Sequence, residues 1–248
     1  MDTKLSESEQ YLWDFIQSHI LEIPSCSIVK LSEYANVSTA TVVRTMKKKG
    51  YEGFTAFKHS LKEKENTNIN FAALDKVDEG IKTAILKNEQ EVIRTINMVE
   101  SGNIEDAIQR IKAARRIMIF ARGFSELIAQ EMMVKFQLTG KYCEMHTDPN
   151  ISKKLTKEDI VIFVSLNGET KELIIAAENC YEAEIGTILL TANRHSSLMA
   201  HIEIPFVGFK SEGSFFPDYE VRSRLPLSIL ARILLDAYAL RTAESKRH

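Results

Sequence analysis

The chain has 248 residues, is 44% hydrophobic and 27% charged, and carries a formal net charge of −2, enough length for two modest domains of ordinary globular composition. So small a net charge excludes a generic polyanion binder, and any nucleic-acid surface must be a local basic patch. Cys26, Cys143 and Cys180 are too scattered for a zinc motif, the N-terminus lacks the apolar segment of a signal peptide, and no apolar run reaches membrane-spanning length. A cytoplasmic protein with reduced thiols, no metal, no cofactor and no membrane contact is expected.

In chain order, residues 5–64 read as helical and polar-punctuated, with no strand-like run. Residues 65–80, charged and Asn-rich, read as a linker. Residues 81–114 read as helix again, broken near Ser101-Gly102, with Asn103 as a cap and Glu105 and Asp106 in the restarted first turn. From there short β-rich runs at 116–121, 142–146, 160–166, 186–191 and 201–207 alternate with helical patterns at 125–139, 170–182 and 220–243. That alternation implies βαβ units and a parallel sheet. Ile160-Val161-Ile162-Phe163-Val164 is apolar throughout, as a strand covered on both faces must be. The reading is an α + α/β protein: an all-helical domain over 1–77, a helical linker over 78–106, and a doubly wound parallel-sheet domain over 107–248.

Within the first domain, Ile28 to Ala35 reads as a short helix, Asn36-Val37-Ser38 as a turn, and 39–49 as a second helix stopped by Gly50. Ser38 is placed to cap it. On a helical wheel Val42, Val43 and Met46 share one side, while Ala40, Thr41, Arg44, Lys47 and Lys48 lie opposite. One side can pack on a core that Trp13, Phe15, Ile16, Ile20, Leu21, Phe54 and Phe57 would supply. The other has the composition of a recognition helix: lysines for phosphates, Arg44 and Thr41 for base edges. Residues 38–64 hold seven Lys/Arg against two Glu, and residues 1–37 two Lys against six Asp/Glu, so positive charge gathers on and after the proposed reading helix. The expected DNA-binding residues are Ser38, Thr39, Ala40, Thr41, Arg44, Lys47 and Lys48.

The string Val37-Ser38-Thr39-Ala40-Thr41-Val42-Val43-Arg44, followed by Gly50-Tyr51-Glu52-Gly53-Phe54-Thr55-Ala56-Phe57-Lys58, resembles the RpiR family of regulators, whose pattern is V-S-x-A-T-V-x-R and then G-Y-x-G-F-x-x-F-K.

In the second domain two strands run into glycine- and hydroxyl-bearing turns before a helix: Ala121-Arg122-Gly123-Phe124-Ser125 and Ser165-Leu166-Asn167-Gly168-Glu169-Thr170. Ligands of open α/β sheets sit beyond the carboxyl ends of the strands, and a helix N-terminus suits a phosphate. From the residues alone, Ser165 and Thr170 serve equally as helix caps or as phosphate donors. No GxxxxGK[ST] or GxGxxG motif speaks for a nucleotide. The loop is similar to the S-x-S-G-x-T-x-E loop of sugar isomerase (SIS) domains, which RpiR-family regulators carry behind their helix-turn-helix. The resemblance implies that Ser125, Ser165 and Thr170 hold a sugar phosphate, with Gly123, Asn167, Gly168 and Glu220 lining the site. Asn167 stands where the family has a second serine, and Ala121 where the first loop often has glycine. Glu220, Arg222 and Arg224 contact either ligand or a dimer partner. His195 and His201 read as surface residues.

Three functions follow. The first is a transcriptional regulator that binds palindromic operator duplex DNA as a homodimer or tetramer and senses a phosphorylated sugar, with 81–114 as relay. The second is a phosphosugar isomerase with an accessory domain, Glu172 or His195 acting as base. The third is a constitutive DNA binder whose second domain only dimerises through its apolar last helix. The attached DNA reader favours the first.

Overall fold

The computed structural model describes residues 5–20, 23–65, 77–211 and 222–245. Backbone contacts divide the chain into two compact units, Met1–Val77 and Asp78–His248.

The first unit is helical: α1 (Glu7–Ser18), a 3₁₀ turn at Ile23–Ser25, α2 (Ile28–Tyr34), α3 (Thr39–Lys48) and α4 (Phe54–Glu65). A capping box starts α1, since Ser6 Oγ accepts from the Glu9 amide and the Glu9 carboxylate accepts from the Ser6 amide at 2.8 Å. Asn36, at φ +49°, turns the chain between α2 and α3 in the left-handed region that asparagine tolerates. Gly50, at φ +85°, ends α3, and the Tyr51 amide closes onto the Met46 carbonyl at 3.0 Å. Leu12, Ile16, Ile23, Leu31, Ala35, Val42, Met46, Phe54 and Phe57 form the core, with Trp13, Phe15 and Ile20 packed half-buried against it. Leu21 lies outside the described residues.

In the second unit α5 (Glu79–Met98) and α6 (Ser101–Ala113) precede β1 (Arg116–Ala121), α7 (Ser125–Leu138), β2 (Tyr142–His146), β3 (Asp159–Val164), α8 (Lys171–Glu182), β4 (Gly186–Thr191), β5 (Ile204–Val207) and α9 (Leu225–Ser245). The sheet has the order β2-β1-β3-β4-β5 and every pairing is parallel. Side chains alternate between its faces. Ile117, Ile119, Ile162 and Leu190 pack with Ile111 of α6, Phe136 of α7 and Leu230 of α9. Met118, Phe120, Phe163 and Leu189 pack with Leu173, Ala177 and Cys180 of α8. With both faces covered, the sheet is the doubly wound one that the apolar runs imply.

Three local expectations are corrected. Asp78 to Gly80, read as linker, open α5, with Asp78 Oδ1 accepting from the Gly80 amide at 2.8 Å. Asn103 does not cap α6; it lies within the helix and donates its side-chain amide to the Pro205 carbonyl at 2.7 Å. The last strand starts at Ile204 rather than 201, because residues 197–201 form a 3₁₀ turn and Thr187 Oγ1 donates to the His201 carbonyl and accepts from the Glu203 amide. Cys26, Cys143 and Cys180 are buried and unbridged. Burial pushes the Cys143 and Cys180 thiols up to about 12, which disfavours the thiolate at both. No helix among the described residues is long and apolar enough to cross a membrane.

Candidate functional site

In the first unit α2, the Asn36 turn and α3 make a helix-turn-helix. Ser38 Oγ accepts from the Thr41 amide at 3.1 Å, holding the first turn of α3. Ser38, Thr39, Ala40, Arg44 and Lys47 are exposed. The inward face differs from the wheel: it comprises Thr41, Val42, Thr45 and Met46, while Val43 is only half-buried beside a groove lined by Cys26, Phe54 and Lys58. Two threonines can face inward because their hydroxyls are used locally. Thr45 Oγ1 donates to the Thr41 carbonyl at 2.9 Å, and Thr41 Oγ1 shares a hydrogen bond with Ser38 Oγ and accepts from Arg44 Nη2. Thr41 therefore orients Arg44 and Ser38 rather than standing on the outer face itself.

The basic residues also divide. Lys48 donates to Glu9 Oε2 at 2.7 Å, and Lys49 lies 4.8 Å from the Trp13 ring centre. Lys48 is thus engaged within its own unit; Arg44, whose Nε stands 3.9 Å from the other Glu9 carboxylate oxygen, and Lys47 are more exposed and face outward from the second helix. The hydrogen bond from Lys48, with that from the Ser6 amide, holds the buried Glu9 carboxyl below the usual carboxylate range. The acidic partner is a residue that sequence reasoning used only as one of six negative charges.

In the second unit the loops after β1, β3 and β4 meet at the carboxyl end of the sheet. The β1 loop turns at Gly123, at φ +60°, whose amide donates to Glu126 Oε1 at 2.8 Å. Ser125 follows, buried at the start of α7. Arg122 of this loop pairs with Glu172 in the first turn of α8 at 3.4 Å, tying the β1 loop to the β3 loop. In the β3 loop Ser165 is buried and its Oγ accepts from the Gly168 amide at 3.1 Å. Gly168 has φ +67°, and a Cβ there would collide with Cβ and Oγ of Ser196 from the β4 loop. Thr170 occupies the N-cap of α8 but makes no side-chain capping bond, and neither does the residue before α7. The capping alternative for Thr170 is therefore not what the geometry uses.

Asn167 is exposed; its carbonyl accepts from Asn193 Nδ2 at 3.0 Å and its Oδ1 from Lys210. Glu169 accepts from the amide and hydroxyl of Ser197, and the hydroxyl bond above all holds its carboxyl below the ordinary range. Ser196 Oγ and Arg224 Nε, both at this end, are buried without a hydrogen-bond partner among the described residues. The Arg224 guanidinium lies 5.8 Å from the ring centre of Phe124 in the β1 loop. Glu220 lies outside the described residues, as does most of the segment that carries it. His195 is exposed, and His201 is half-buried and edge-on to Tyr181.

A family model described as the helix-turn-helix domain of the rpiR family matches residues 1–68, and one for the SIS domain matches residues 110–205. The chain belongs to the RpiR family. Among solved structures this RpiR-family chain is similar to the Vibrio vulnificus NanR protein complexed with ManNAc-6P, at 21% identity and a TM-score of 0.61, covering 98% of this chain and 90% of that one. It is similar to the sugar isomerase domain of an RpiR transcription factor from Sphaerobacter thermophilus, at 19% identity and TM-score 0.61, covering 67% and 93%. It is also similar to the c3406 protein of E. coli CFT073, at 19% identity and TM-score 0.52, covering 69% and 94%. At these identities the likeness speaks for the fold.

Sequence reasoning missed Arg122, Ser196 and Lys210 at the strand-end site of this RpiR-family chain. Lys210 carried a usable signal, because it lies just past the last strand, where ligands of such sheets gather. Ser196 carried none, since only the crossing of the β4 and β3 loops brings it to Gly168.

Proposed function

We propose that this protein is a DNA-binding transcriptional regulator whose SIS domain senses a phosphorylated sugar, and that it acts as a regulator rather than an enzyme. The observation that carries the reading is the joining, on one chain, of a capped helix presenting Arg44 and Lys47 to a strand-end cradle. In that cradle the N-cap Thr170 hydroxyl is unused by its own helix. Ser38, Thr39, Ala40, Arg44 and Lys47 would meet the duplex, with Thr41 setting the pose of Arg44, and Lys48 joining them if Glu9 releases it. Ser125, Ser165, Asn167 and Thr170 would surround the phosphate, with Gly123 and Gly168 admitting the backbone and Glu220 approaching from the segment before α9. A homodimer would give the two reading heads that a palindromic operator requires. A sugar phosphate changes operator occupancy only by binding one arrangement of the chain better than the other. The isomerase alternative needs a base beside the sugar, and its first candidate, Glu172, is already paired with Arg122.

The test measures melting temperature against a panel of pentose, hexose and amino-sugar phosphates that includes ManNAc-6P, and operator binding by fluorescence anisotropy with DNA from upstream of the gene. A stabilising sugar phosphate that shifts operator affinity and is not turned over supports the reading. The double variant Ser165→Ala/Thr170→Ala should lose the response and keep DNA binding. Turnover of a sugar phosphate would favour the isomerase; indifference to the whole panel would favour a SIS domain that only dimerises.

A further inference from the structure

The segment just after β5 lies between the proposed cradle and helix α5. Gly208 lets α5 come close, since a Cβ there would stand 3.0 Å from Thr95 Cγ2. The Phe209 amide donates to Thr95 Oγ1 at 3.0 Å, and the Ser211 amide donates to Glu91 Oε1 at 3.0 Å. The Ser211 hydroxyl donates to the same carboxylate oxygen, and the Arg94 guanidinium stacks 3.2 Å from the ring centre of Phe209. Glu91, Arg94 and Thr95 are all buried. Residues 209 and 211 are thus held by α5, while Lys210 between them reaches the other way, to Asn167 Oδ1 in the β3 loop.

That hydrogen bond has a chemical consequence. An ammonium group only donates, so the atom facing Lys210 must be the Asn167 oxygen, and the Asn167 amide nitrogen is left as a donor. The Asn167 main-chain carbonyl is already engaged by Asn193. Where the resembled loop has a serine hydroxyl, this chain therefore offers an oriented amide donor and, behind it, a positive charge. A sugar phosphate near neutral pH carries close to two negative charges, and lysine serves such groups as a point charge. Nearby, Ser196 Oγ is buried without a partner among the described residues, which marks this loop cluster as polar beyond its internal needs.

We infer that Lys210 is an anion-binding residue of this site, oriented by Asn167, and that ligand occupancy passes through the 208–211 segment to helix α5. The inference rests on the sugar-phosphate reading above. An anion that draws on Lys210 competes with Asn167 for it and shifts the backbone on either side, where the Phe209 and Ser211 amides bond to α5. Helix α5 begins at Glu79, directly after the first unit ends at Val77, so along the chain it is the first element of the sensor.

The experiment uses the full chain with inorganic phosphate as probe, and in parallel the tightest sugar phosphate of the panel. Lys210→Met should weaken phosphate binding at least about tenfold at low salt, the scale of one lost charged hydrogen bond, with the deficit shrinking as ionic strength rises. Lys210→Arg should stay within about threefold of the parent. If the methionine variant does not fold, Lys210→Gln, polar but uncharged, takes the same measurement. Hydrogen exchange at the Phe209 and Ser211 amides should change on saturation of the parent chain and not in Lys210→Met exposed to the same phosphate. Equal binding by parent and Lys210→Met overturns the inference alone. Unchanged exchange at both amides in the saturated parent overturns the route to α5. A parent blind to phosphate and to every sugar phosphate removes the functional reading and this inference with it.

Discussion

Replacing Gly168 with alanine challenges the strand-end loop at its most constrained point. At φ +67° an L-residue carries a cost of about 1–2 kcal/mol. The new Cβ would also fall well inside the roughly 3.5 Å of ordinary carbon contact with Ser196, while Thr191 Oγ1 stands at 3.6 Å. Overpacking of this kind costs about 1–3 kcal/mol when neighbours must move. Alanine narrows the unfolded ensemble, which offsets about 0.4–1 kcal/mol. The net expectation is a loss of about 1–5 kcal/mol, a large share of a typical domain stability of about 5–15 kcal/mol. Urea unfolding followed by far-UV circular dichroism is the assay. Trp13, the single tryptophan, lies in the other unit, so its fluorescence is not the probe. Adding Ser196→Gly removes the colliding atoms, so the double variant, measured against Ser196→Gly alone, should recover the overpacking share and keep the backbone share. A Gly168→Ala protein within about 0.5 kcal/mol of the parent, or no recovery in the double variant, would refute the reasoning.

Arg44→Ala should weaken operator binding by about 1–3 kcal/mol and relax sequence preference if Arg44 reads a base; unchanged anisotropy titrations would remove it from the interface. Glu9→Gln should destabilise the first unit by about 1–2 kcal/mol, a charged hydrogen bond discounted for the 30% exposure of Lys48. It should also steepen the salt dependence of DNA binding by about one counterion, because Lys48 is released. Because the Glu9 carboxyl is held low in the folded state, its contribution is present above the ordinary glutamate range and disappears as pH falls through the folded value. Melting curves from pH 5 to 3 should fall further in the parent than in Glu9→Gln, by the contribution that Glu9 loses. Asp159 behaves likewise in the second unit: burial pushes its carboxyl up, but hydrogen bonds from Arg116 and the Thr156 amide, with the charges of Arg116 and Arg115, outweigh burial and hold it low. Asp159→Asn should cost about 2 kcal/mol near pH 7, a difference that shrinks only as pH falls from the ordinary aspartate value of about 4 through the lower folded one, which calorimetry across that range would check.

The strands at 116–121, 142–146 and 186–191 were readable to the residue, and the helix-turn-helix nearly so. In both places a short-range rule decides most of the outcome: the apolar runs at 116–121 and 186–191 have to be covered on both faces, and Ser38, Asn36 and Gly50 satisfy backbone demands within a few residues of themselves. The inward turn of Thr41, the engagement of Lys48 by Glu9 and the placing of Asn103 on Pro205 were not readable. Each depends on which distant element packs against the helix, and a wheel drawn from one segment holds no such term. The strand-end loop shows the same division. That Ser165, Gly168 and Thr170 belong to one turn follows from their spacing and from the resemblance. That Ser196 closes on Gly168, that Arg122 ties two loops together and that Lys210 reaches Asn167 across 43 residues follow only from the crossing of parallel strands. The sequence by itself determined which segments become helices and strands and what chemistry their turns can offer, because those choices are local. Tertiary structure decided which charges face outward and which are held inside, because a lysine or a threonine takes its role from the partner that folding brings to it.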